Sequence, residues 1–171
     1  MNHELESVLR YLEDNRLKLV TAESCTAGLT ASLLAEQPGS GAWLDCAFVT
    51  YSVSAKCTLL GVRHETVERY GLTSEAVARE MAEGALRLSR ANVALADTGV
   101  AGPGGEDGTA PGTVCLAWSF DAAGRQITYS ETRRFEGERN EVRQAAAQYM
   151  IGRIWHYHNH MLQALDGTEK K

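Results

Sequence analysis

Three short apolar runs most constrain what this chain can fold into: LKLVTAES (17–24), CAFVTYS (46–52) and NVALADTG (92–99). They read as strands, and segments of helical periodicity lie around them. Two later runs, GTVCLAWSF (112–120) and QITYSETRRF (126–135), flank DAAGR and read as a hairpin. Alternation early and a hairpin late predict an α/β fold with a mixed sheet covered by helices.

The helices follow from apolar spacing. Leu5, Val8, Leu9 and Leu12 make a stripe over 4–14. Ser24 or Thr26 can cap a helix over TAGLTASLLAEQ, which ends before Pro38-Gly39. A short helix begins near Ser52 and carries Lys56, and Thr73 or Ser74 caps another with Val77, Met81, Ala85 and Leu88 on one face. Residues 61–76 read as turn-rich. A single long helix is predicted from about Glu138 to Leu165, with Met150, Ile154 and Trp155 available as a dimer surface.

Composition narrows the function classes. The 171 residues are 44% apolar and 23% charged, as in an ordinary globular protein. A net charge of −5 argues against a broad nucleic-acid footprint. Four cysteines, Cys25, Cys46, Cys57 and Cys115, form no C-x-x-C pair, so zinc and redox motifs find no support. The opening MNHELESVLRYLEDNR lacks an apolar signal core, and no run reaches membrane length. The expectation is a cytoplasmic chain with reduced thiols.

Several constellations carry chemistry. VTAESCTAG is strand, turn and helix, and a helix N-terminus offers free N–H groups to phosphate or carboxylate. The polar glycine loop GVAGPGGEDGTAPG (99–112) follows a strand, where open α/β sheets bind ligands, but it matches neither a P-loop nor a dinucleotide fingerprint. Tyr51 and Lys56 fit neither Y-x-x-x-K nor S-x-x-K, and Ser52, four before Lys56, is a helix cap or a partner for it. Arg139 and Arg143 share a helix face and can clamp an anion or pair with Glu138 and Glu141. His156 and His160 share a face, but no third ligand has metal spacing.

Six ordered stretches together are similar to one family. They are T-A-E-S-C-T-A-G (21–28), F-V-T-Y-S-V-S-A-K (48–56), L-G-V (60–62), T-G-V-A-G-P-G-G (98–105), P-G-T-V (111–114) and G-E-R-x-x-V-R (137–143). Spanning about residues 5–160, they resemble the CinA C-terminal domain family, which includes nicotinamide mononucleotide deamidases. The resemblance implies a three-layer α/β/α sandwich with a mixed sheet. It also implies one stand-alone domain over 1–171, with its core over about 5–165, and a homodimer. The implied reaction converts nicotinamide mononucleotide and water to nicotinic acid mononucleotide and ammonia, in pyridine nucleotide salvage. The implied ligand is a small pyridine mononucleotide, with no cofactor, metal, nucleic acid or membrane. Lys56 matches the catalytic lysine and Tyr51 a site tyrosine. Ser24, Thr26, Gly28, Thr98, Gly99, Gly102, Arg139 and Arg143 match substrate-binding positions.

One departure bears on activity. Active family members carry G-S-S-A-W, with the nucleophilic serine fifteen residues before the lysine. Here the stretch is P-G-S-G-A-W, and that position is Gly41. Ser40 is the neighbouring candidate for a substitute nucleophile. Ala27 stands where the family usually has a second glycine. Two readings remain open: an amidohydrolase with a replacement attacking group, and a paralogue that binds a pyridine nucleotide or related phosphate without turnover.

Overall fold

The computed structural model describes residues 3–103 and 108–168. Its elements are α1 (His3–Asp14), β1 (Leu19–Glu23), α2 (Leu29–Ala35), β2 (Leu44–Val49), α3 (Val53–Leu60), α4 (His64–Tyr70), α5 (Glu75–Arg87), β3 (Val93–Gly99), β4 (Thr113–Ala122), β5 (Arg125–Arg134), α6 (Arg139–Gly152) and α7 (Ile154–Thr168), with one 3-10 turn over Ser40–Ala42.

The strands form one mixed sheet in the order β2-β1-β3-β4-β5. β1 lies parallel to β2 and β3, while β4 runs antiparallel to both β3 and β5. Side-chain size alternates along the central strands. Val93, Leu95, Leu116, Trp118 and Phe120 join a core with α1, α2, α6 and α7. Ala94, Ala96, Cys115 and Ala117 face a second core with Val77, Ala78, Met81, Ala82 and Ala85 of α5. Small side chains on the sheet and the helix let α5 lie close to the strands. Helices thus cover both faces, as the α/β/α reading expected.

Three sequence expectations change. The segment read as turn-rich contains α4, a two-turn helix that buries Thr66. The long C-terminal helix is two helices, with Arg153 ending α6 in a tight turn just after Gly152; glycine is among the weakest helix formers. Met150 and Ile154 are fully buried, and the Met150 carbonyl accepts a 2.9 Å bond from Trp118 Nε1. Of the proposed dimer surface, only Trp155 is exposed. No helix among the described residues is long and apolar enough to cross a membrane.

Candidate active site

The parallel strands end on the same side, so their carboxyl ends bring three turns together. Ser24 follows β1, Thr50 and Tyr51 follow β2, and Asp97 to Gly99 end β3. Ser52 caps α3 by accepting from the Ala55 N–H at 3.0 Å. α3 then carries Lys56 back under the turns, where it is fully buried.

The Lys56 amine has three close oxygens. Nζ lies 2.7 Å from Ser24 Oγ, 2.7 Å from the Thr50 carbonyl and 3.4 Å from the Tyr51 carbonyl. Burial pushes the amine down to about 8, against the opposing influence of Asp97 and Cys57. The serine hydroxyl within hydrogen-bond reach of Lys56 is thus that of Ser24, a residue the family resemblance put among the substrate-binding positions. Ser40 sits in the 3-10 turn, and Ser40 Oγ is not one of those three oxygens. Gly41 is exposed, and a Cβ added there would meet nothing within 4 Å. Cys25, next to Ser24 in the β1–α2 turn, is buried, and its thiol is pushed up to about 12, chiefly by burial and then by Asp97. It stays protonated and is a poor nucleophile.

A carboxylate occupies the anion seat expected at the start of α2. Glu23 is fully buried and accepts from the N–H groups of Gly28 (2.8 Å), Thr30 (3.0 Å) and Ala31 (2.9 Å), and from the Thr21 hydroxyl (2.9 Å). Neither Ser24 nor Thr26 caps α2. Its N-cap is Gly28, without a side-chain bond, because the Glu23 side-chain oxygens already accept from those donors. The first-turn N–H groups are thus not free for a ligand phosphate.

Asp97 holds the turn from the other side. Its Oδ1 accepts from the N–H groups of Ser24 (3.4 Å) and Thr26 (3.0 Å). Thr26 Oγ1 lies 2.5 Å from Asp97 Oδ2 and 2.6 Å from Glu23 Oε2. A hydroxyl has one proton to donate, so satisfying both contacts requires a proton on a carboxyl. Glu23 already holds four other donors. Burial pushes Asp97 up to about 6, so its carboxyl takes up that proton below about pH 6.

The remaining predicted residues divide by function. Arg139 Nη1 donates to the Gly102 carbonyl (2.8 Å) and Nη2 to the Tyr51 hydroxyl (3.0 Å). Arg143 Nη2 donates to the Thr26 carbonyl (2.9 Å) and Nη1 to Asn140 Oδ1 (3.1 Å). The two guanidiniums thus join α6 to all three turns. Tyr51 is 60% exposed, so this basic side faces solvent. The Thr98 hydroxyl donates to the Leu72 carbonyl (3.0 Å). Gly99 has a packing reason: a Cβ there would lie 2.6 Å from the Thr113 carbonyl oxygen. Residues 104–107, at the tip of the glycine loop, lie outside the described residues. Between His156 and His160, His158 is buried, with Tyr11 Oη 2.7 Å from its Nδ1. No group of three metal-ligating residues exists among the described residues.

Comparison with known proteins adds a family. The model described as CinA C-terminal domain matches residues 2–157. Nicotinamide-nucleotide amidohydrolase PncC of Escherichia coli K12 is 42% identical over 151 residues, covering 88% of this chain and 90% of that protein. A CinA-like protein of Chlorobium limicola is 40% identical over 154 residues, which are 89% of this chain but 36% of that longer protein. The solved competence damage-inducible protein A of Klebsiella pneumoniae superposes with a TM-score of 0.81 at 40% identity, covering 86% of this chain and 90% of that one. The competence/damage inducible protein CihA of Agrobacterium tumefaciens gives 0.76 at 37% identity, covering 97% and 98%.

Proposed function

Because the chain belongs to the CinA C-terminal domain family, we propose that it hydrolyses the carboxamide of a nicotinamide nucleotide and releases ammonia. Lys56 is the proton carrier. Tyr51, Arg139 and Arg143 hold the nucleotide's phosphate at the basic side of the site. The turns at Ser24–Gly28 and Thr98–Gly102 cradle the ring and ribose. The observation that carries this reading is the buried Lys56 amine, pushed down to about 8 and held 2.7 Å from a serine hydroxyl. An amide is a weak electrophile, and its hydrolysis needs a base that is neutral near working pH. The name and 42% identity of the Escherichia coli relative support the substrate class.

Ammonia release from nicotinamide mononucleotide tests the proposal, with Lys56→Met alongside. The expected result is steady turnover by the native chain and loss of at least about 10³-fold in the variant. No release by the native chain overturns it. Gly41 favours one second reading, in which the chain binds the nucleotide without turnover. Calorimetric binding with no ammonia would establish that reading, and gain of turnover in Gly41→Ser would show that only the hydroxyl at 41 was missing.

A further inference from the structure

The partners of Lys56 constrain more than its pKa. As an ammonium, Nζ has three protons and three acceptors: Ser24 Oγ and the carbonyls of Thr50 and Tyr51. As a neutral amine it keeps two protons and gains one lone pair. The two carbonyls can only accept, so they retain the two protons. Ser24 is the one partner that can donate. Deprotonation of Lys56 therefore turns the Ser24–Lys56 bond around, and the Ser24 proton points at the amine lone pair.

Other side chains in the neighbourhood do not match this arrangement. Gly41 has no side chain, and Cys25 is held as a thiol. The Ser24 main chain is fixed by its N–H bond to Asp97 and by the Thr26 N–H bond beside it. Ser24 retains 7% exposure, while Lys56 has none, so Ser24 is the member of the pair nearer to solvent.

We propose that Ser24 is the nucleophile of this chain, activated by Lys56. The inference rests on the amide-hydrolase reading for its substrate, but not for the reactivity of the hydroxyl. Ser24 Oγ attacks the carboxamide carbon as its proton passes to neutral Lys56 Nζ. The Oγ–C bond forms, and the tetrahedral adduct breaks its C–N bond. Lys56 returns the proton to the departing nitrogen, which leaves as ammonia. Water then attacks the Ser24 ester, giving its proton to Lys56. The O–C bond breaks, the acid is released, and Ser24 regains its proton.

Phenylmethylsulfonyl fluoride separates this inference from the proposed substrate. Ser24 Oγ displaces fluoride from its sulfur, and peptide mass spectrometry locates the sulfonyl group. The expected result is stoichiometric label on Ser24, absent in Ser24→Ala and lost in Lys56→Met. The groups facing Lys56 are Ser24 from the β1–α2 turn, Asp97 from β3 and Cys57 on its own helix. Labelling should rise with pH as the amine loses its proton. A hydroxyl that merely orients Lys56 takes no label. Label on Ser40, or none on the native chain, overturns the inference. Turnover of nicotinamide mononucleotide with less than about 10-fold loss in a folded Ser24→Ala variant overturns it too, leaving the proposed function standing. Label on Ser24 without ammonia release supports the nucleophile and removes the substrate.

Discussion

At the scale of residues, Lys56 pits stability against chemistry. Its folded pKa lies below the value for a free lysine, so folding favours the neutral amine. Below about pH 8 the folded chain bears a buried ammonium, at a cost of about 3 kcal/mol. That cost is relieved as pH rises from 8 towards 10.5. Lys56→Met should therefore unfold at a higher urea concentration than the native chain at pH 7, and the difference should shrink by pH 10. Equal midpoints at pH 7 would mean that the amine's bonds to Ser24 and Thr50 offset its desolvation. Ala27 gives a second case. It adopts a φ of 52°, in the left-handed region, and its side chain is exposed. Glycine is the residue the family pattern leads one to expect there. Ala27→Gly should gain about 0.5–1 kcal/mol in urea unfolding, the strain relieved less the extra chain entropy of glycine. Lys56, Tyr51 and the arginines were legible from ordered motifs. The attachment of Ser24 to Lys56 was not, because the residues stand 32 apart and only the pairing of β1 with β2 brings their turns together.

Among the elements, two contacts set where the site residues stand. Glu23, the last residue of β1, caps α2 from outside that helix, so the strand and the helix start are one hydrogen-bonded unit. Glu23→Gln keeps the shape but removes the charge and one acceptor. The expected loss is about 2–3 kcal/mol by urea unfolding, with the α2 amides exchanging faster with deuterium. α3 is placed by α5. A Cβ on Gly84 would lie 1.9 Å from the Leu60 carbonyl oxygen, so Gly84→Ala must push α3 outward. It should cost about 2–3 kcal/mol and lower ammonia release as well, since Lys56 sits one turn before Leu60. Element types were readable where periodicity was strong: α1, α5 and the five strands all lie close to their sequence ranges. α4 was hidden by the turn-forming residues around it. The break at Arg153 was hidden by an apolar stripe that continues across it, since both α6 and α7 pack on the same core. The role of Glu23 was hidden because a charged residue at a strand end ordinarily reads as solvated.

For the whole molecule, the two shifted groups give a pH profile with two windows. Asp97 is raised from 3.8 to about 6, so the folded chain holds its proton more tightly than the unfolded chain. Its stabilising contribution is complete below about pH 4 and is lost as pH rises to about 6, a change of about 3 kcal/mol. Asp97→Asn, which imitates the protonated side chain, should flatten the urea midpoint between pH 4 and 6 relative to the native chain. An unchanged slope would place the proton elsewhere. Lys56 acts in the other window, above pH 8. The sheet joins the two: Asp97 lies near the end of β3, Lys56 lies under the turn after β2, and Ser24 stands between them. The pH dependence of ammonia release from nicotinamide mononucleotide tests this account most directly. It predicts that kcat/KM rises about tenfold per pH unit below an inflection near 8, then levels, with Lys56→Met inactive throughout. A profile flat from pH 6 to 9, or one that survives in Lys56→Met, would contradict it.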